Sequence, residues 1–129
     1  MTQPAVNQDL KRYLLPAFAR KAVSITAIDV QKITSYADAL VIIEASSSRQ
    51  VSSIAEHIIK ELKKENLNAL GLEGVKEGQW ALLDYGDVII HIFDSETKAL
   101  YDLEGLWSDG PRFDFSEFDQ NPEAGSDDL

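Results

Sequence analysis

Cysteine is absent from this chain of 129 residues, which excludes disulfide staples, thiol nucleophiles and thiolate metal sites. Histidine occurs only at His57 and His91, and they do not form a His-Glu-x-x-His metal pair. Long apolar runs are missing as well: the longest, Ala39 to Ile43, is far short of the roughly 20 residues a bilayer span needs. Met1 to Val6 has neither the charged nor the apolar region of a signal peptide. These absences predict a soluble, cytosolic protein. Positive charge is scarce too, 12 Lys+Arg against 22 Asp+Glu, for a net charge of −10. Such a chain repels phosphate backbones, so little direct nucleic-acid contact is expected. The sequence also lacks a Gly-x-Ser-x-Gly elbow, a Walker A loop and a Gly-x-Gly-x-x-Gly turn.

What is present has the proportions of one globular domain: 44% hydrophobic and 26% charged residues, with 7 Gly and 4 Pro. The charge is unevenly spread. Residues 1–108 hold 11 Lys+Arg and 15 Asp+Glu, whereas residues 109–129 hold 1 and 7, so the second stretch reads as an acidic, mobile tail on a single domain spanning 1–108. That tail is either a solvated end that aids solubility or a short segment that docks on a basic partner. Inside the domain, Asp84, Asp87, Asp94, Glu96, Asp102 and Glu104 are met only by Lys98 between positions 84 and 104, a local charge of −5.

Leu10, Tyr13, Leu14, Ala17 and Phe18 make an amphipathic stripe over about residues 6–22. Pro16 interrupts it, predicting a kink near residues 12–16 or two short helices. Ser24 to Val30 and Ala39 to Ala45 are β-branched and read as strands, the second covered on both faces. Val51, Ile54, Ala55, Ile58, Ile59 and Leu62 form the stripe of a helix running from a serine N-cap to about Glu65. Ala69 to Leu72 reads as a brief edge strand. Trp80 to Asp84 and Val88 to Phe93 flank Tyr85-Gly86-Asp87, the signature of a hairpin. The pattern is α/β: a mixed sheet of about five strands with flanking helices.

Catalytic constellations are hard to find. His57 sits among polar helix positions and reads as a boundary residue, while His91 alternates with Ile90 and Ile92 and shares a sheet face with Ile89 and Phe93. Ser46, Ser47, Ser48 and Arg49 at a helix start could cradle a phosphate, although helix capping accounts for the serines. Two carboxylates two apart on one strand, the Mg²⁺-holding pair of nucleotide-transferring folds, are missing. The informative stretch is Trp80 to Trp107, with two Trp, Tyr85, Tyr101, Phe93 and six acids. Rigid aromatics suit an interface, and acids around them favour a basic protein over RNA. The segment Leu100 to Trp107 (LYDLEGLW) either plugs the core or binds a partner.

These residues also resemble a known family. AIDV (27–30), DALVII (38–43), SSSRQVSSIAEHI (46–58), LGLEG (70–74), W-x-L-L-D-x-G-D-V-I-I-H-I-F (80–93) and LYDLEGLW (100–107) are similar in order and spacing to the ribosomal silencing factor, or Iojap-like, family. The resemblance covers about residues 8–108. It departs at Ile43-Glu44-Ala45-Ser46, where many members carry a Cys-Thr-Gly-Thr type of run, and at Pro16. It implies a noncatalytic protein with a nucleotidyltransferase-like fold lacking the catalytic carboxylates, and no cofactor or metal. The implied partner is the universal large-subunit protein fourteen of the large ribosomal subunit, at the face where the small subunit joins. Carried onto this chain, the contact residues are Trp80, Asp84, Asp87, His91, Asp94, Tyr101, Leu103, Glu104, Leu106 and Trp107. Two other readings stand beside it: a nucleotide-binding or nucleotidyltransferase-like enzyme using Ser46 to Arg49, and a self-associating module forming a homodimer.

Overall fold

The computed structural model describes residues 8–100, 102, 105 and 110–113. Its elements are α1 (Gln8–Phe18), β1 (Ser24–Asp29), β2 (Ala39–Ala45), α2 (Ser48–Lys64), β3 (Gly71–Glu73), β4 (Trp80–Asp84), β5 (Val88–Asp94) and α3 (Ser95–Leu100). The five strands form one sheet in the order β1-β2-β5-β4-β3. Only the β2–β5 pair is parallel. Such a pair needs a long crossover, here supplied by α2, β3 and β4.

Strand periodicity sorts the side chains onto two faces. Ala27, Val41, Ile43, Ile90, Ile92, Ala81 and Leu83 join Leu10 and Leu14 of α1 and Val51, Ile54, Ile58 and Leu62 of α2 in the main core. The opposite face holds Ile28, Leu40, Ile42 and Phe93, with Trp80 and Ile89 packed against them. β2 is therefore buried on both sides, as its unbroken apolar run predicts, and β3 is the short edge strand expected near residue 70.

The serine-rich start of α2 caps the helix. Ser47 is the N-cap, its Oγ accepting from the Gln50 N–H at 3.1 Å. The Gln50 amide oxygen in turn accepts from the Ser46 N–H at 2.6 Å and the Ser46 hydroxyl at 2.9 Å. This is the reciprocal logic of a capping box, shifted by one residue.

Two expectations need correction. α1 runs as one helix through Pro16 rather than as two short ones, and it ends at Phe18, short of residue 22. Proline in the last turn removes the bond to the Arg12 carbonyl, and Arg12 lies at the surface, where that carbonyl is open to solvent. Lys21, at a φ of 51°, then turns the chain toward β1. The second correction is α3, a helix absent from the sequence reading. It starts directly after β5, where the Asp94 carboxylate accepts from the Thr97 N–H at 2.8 Å.

Candidate partner-binding surface

The face away from α1 and α2 carries the aromatic residues that the sequence singles out. On β4 and β5, Trp80 stands opposite Phe93 and Leu82 opposite His91. The Trp80 and Phe93 rings lie 4.8 Å apart, and His91 stacks on Phe93 at 6.0 Å with an interplanar angle of 10°. Trp80 Nε1 donates to His91 Nδ1 at 2.9 Å. Because indole N–H only donates, Nδ1 must be the lone-pair nitrogen and the neutral imidazole carries its proton on Nε2. Burial holds the His91 imidazole down at about 4. His91 is 8% exposed and Phe93 fully buried; together they fix the rotamer of Trp80, which stays partly exposed. Trp80 is thus at once a core residue and a surface one, a rigid anchor of the kind interfaces favour.

Among the described residues, the acids do not gather into one patch. Asp84 and Asp87 lie at the hairpin turn, where the Asp84 carboxylate accepts from the Gly86 N–H at 2.8 Å and Gly86 has a φ of 88°. Asp38 is brought beside them, its N–H donating to the Asp87 carbonyl at 2.7 Å. Asp94 is at the opposite end of β5, seven residues and roughly 23 Å away at about 3.3 Å per residue. The aromatic row therefore runs between an acidic tip formed by Asp38, Asp84 and exposed Asp87, and a second acidic end that begins at Asp94. Asp102 is exposed and its carboxylate accepts from the Gly105 N–H at 3.1 Å. Tyr101, Leu103, Glu104, Leu106 and Trp107 lie outside the described residues, as do most positions of the acidic tail.

One residue of this end escapes the sequence reading except as a departure from the family pattern. Glu44 is the sole charged residue in β2. Its carboxylate accepts from the Ser95 hydroxyl at 2.6 Å and the Ser24 hydroxyl at 3.2 Å and pairs with Lys98 at 3.3 Å. The Ser95 bond, with help from Lys98, holds its pKa below the usual carboxylate value despite burial. Glu44 thereby ties α3 to the ends of β1 and β2. A single acid in an apolar strand is the signal that could have revealed it.

The two other candidates for chemistry make local structural contacts. The Ser46 and Ser47 hydroxyls are engaged in the cap described above. His57 Nδ1 lies 3.1 Å from an Arg20 guanidinium nitrogen, and burial together with that cation holds its pKa down. Among the described residues, no group of three or more His, Asp or Glu side chains could hold a metal ion, and no helix is long and apolar enough to cross a membrane.

Comparison with known proteins decides the family. The model of the family described as ribosomal silencing factor during starvation matches residues 4–128. The chain belongs to the ribosomal silencing factor family. The match reaches past the 8–108 over which the motifs lie, into the acidic tail. The ribosomal silencing factor of Halalkalibacterium halodurans is 34% identical over 106 residues, covering 81% of this chain and 91% of that protein. The one from Bacillus subtilis is 35% identical over 95 residues, covering 74% and 80%. A crystal structure from Bacillus halodurans superposes with a TM-score of 0.74 at 30% identity, covering 84% of this chain and 99% of that one. The sheet and helices described above are those of this silencing factor family.

Proposed function

We propose that this silencing factor docks on the large ribosomal subunit through the universal large-subunit protein fourteen and blocks joining of the small subunit by steric exclusion, lowering translation under nutrient limitation. It acts in the cytosol without catalysis or a cofactor. Family membership supplies the ribosomal context, and the observation that supports the docking mode is the rigid Trp80–His91–Phe93 row flanked by acids at both ends. A protein that binds ribosomal RNA is basic, so acids flanking an aromatic anchor attract it while repelling the phosphates around it. Tyr101, Leu103, Glu104, Leu106 and Trp107, which follow Asp94 in the sequence, are the remaining contact residues of this reading. Homodimerisation through the same face would compete with docking. Mixing purified subunits with the protein and following joined ribosomes by sedimentation tests the proposal: joining falls as the protein approaches saturation. Unchanged joining at saturation refutes it. A Trp107→Ala, Glu104→Lys double variant abolishes cosedimentation with the large subunit while its circular dichroism stays that of the parent. Wild-type binding by that variant would discard the surface.

A further inference from the structure

The sheet has two edges, and they are treated differently. β3, at one edge, is only three residues long. β1, at the other, has six and would present a row of unpaired ladder groups to other chains. Instead Gly110 to Phe113 lies along it antiparallel, with Arg112 opposite Ile28. The Asp29 N–H donates to the Pro111 carbonyl at 2.8 Å, and the Phe113 N–H donates to the Ala27 carbonyl at 2.9 Å. Strand alternation then puts Phe113 on the helix side of the sheet, where it packs against the main core. There it closes one wall of a cleft of about 300 Å³ with Leu10, Tyr13 and Leu67. Gly110 is buried, and a Cβ there would meet Ile28 Cγ2 at 2.5 Å and the Asp29 carbonyl oxygen at 2.7 Å. Pro111 has no N–H to return to Asp29, and among the described residues the pairing consists of these two backbone bonds.

We propose that the outer edge of β1 is a strand-accepting surface whose occupant is the chain's own Gly110–Phe113, seated by backbone pairing and by Phe113 in the cleft beside α1. The surface selects a small residue at the Ile28 approach, an extended backbone, and an aromatic ring three residues later. The segment of a second copy fits the same groove, but the tethered segment has the higher effective concentration. Occupancy in cis therefore keeps β1 closed to other chains.

The Asp29 amide reports occupancy, because its bond is made to Pro111 and to no residue of β2. In the full chain, at concentrations where sedimentation shows a monomer, Gly110→Val with Phe113→Ser raises the exchange rate of that amide at least ~10-fold. The Ile42 and Ile90 amides remain at their parent rates. Adding a peptide of residues 108–115 at ~5 mM, the scale of a short tether's effective concentration, returns the Asp29 rate toward that of the parent, whereas Arg112→Ala alone changes nothing. An Asp29 rate unmoved by the double variant, or raised but not reversed by the peptide, overturns the proposal. If Ile42 loses protection as well, Phe113→Pro, which removes the donor and the ring without crowding Ile28, is read by the same two criteria.

Discussion

At the scale of single residues, burial has separated chemistry that the sequence leaves side by side. His91 is neutral in the folded protein until about pH 4, whereas an unfolded histidine takes up its proton near 6.5. Between those values the unfolded chain binds more protons, so stability falls as pH falls from 6.5 to about 4, by about 3 kcal/mol in total. His91→Gln keeps an acceptor for Trp80 but does not titrate. Urea midpoints measured across that range should fall less steeply for the variant than for the parent. Tyr85 presents the converse case. Its hydroxyl is, among the described residues, the buried side-chain polar atom with no hydrogen-bond partner, and burial beside Tyr13 pushes its pKa up to about 12. Removing an unpartnered hydroxyl breaks no hydrogen bond and leaves the ring contact with Tyr13 at 5.4 Å in place. Tyr85→Phe should therefore hold stability or raise it by up to ~1 kcal/mol, and a loss of more than that in urea unfolding would show that the hydroxyl has a partner.

At the scale of elements, what could be read from the sequence is what periodicity controls. The stripe from Val51 to Leu62 predicts α2 and its buried face, the apolar run of Ala39 to Ala45 predicts a central strand, and Gly86 marks the hairpin. Long-range packing is not periodic and escapes such reading. Nothing local says that Gly78 must sit under the start of α2, yet at a φ of 77° its added Cβ would stand 2.4 Å from the Ser48 carbonyl oxygen. Gly78→Ala combines left-handed strain with that overlap and should cost more than ~2 kcal/mol, measured as a drop in the urea midpoint with an unchanged m-value. α3 is missed for a related reason: its six residues are held less by a stripe than by the Asp94 cap and the Glu44 tie to Ser95 and Lys98. The site shows the same division. The aromatic row is legible as alternation along two paired strands, but the hydrogen bond from Trp80 to His91 depends on register, which residue types alone do not reveal.

At the scale of the whole molecule, the charge of −10 resolves into regions that act differently. Among the described acids, Asp84 and Asp87 are separated from Asp94 by the length of β5, so under the proposed docking a basic partner would meet two acidic ends with an aromatic anchor between them. The acids at those ends are not equivalent. Asp84 and Asp94 spend their carboxylates on the Gly86 and Thr97 amides, and reversing either charge would loosen a turn or a cap along with the surface potential. Asp87 is exposed, and its contribution to Asp38 runs through its backbone carbonyl, leaving its carboxylate as the cleanest probe of steering. Asp87→Lys should leave the unfolding midpoint within about 0.5 kcal/mol of the parent. If the proposed docking is right, it should slow association with the large subunit severalfold at low salt, the difference shrinking as ionic strength rises toward and beyond physiological values. Dissociation should change less than association, because a rim charge acts mainly on the encounter. Stopped-flow or surface-based kinetics at two salt concentrations distinguish this from a direct contact: an association rate equal to the parent's at low salt, with faster dissociation at both, would place Asp87 inside a packed interface and remove steering as its role.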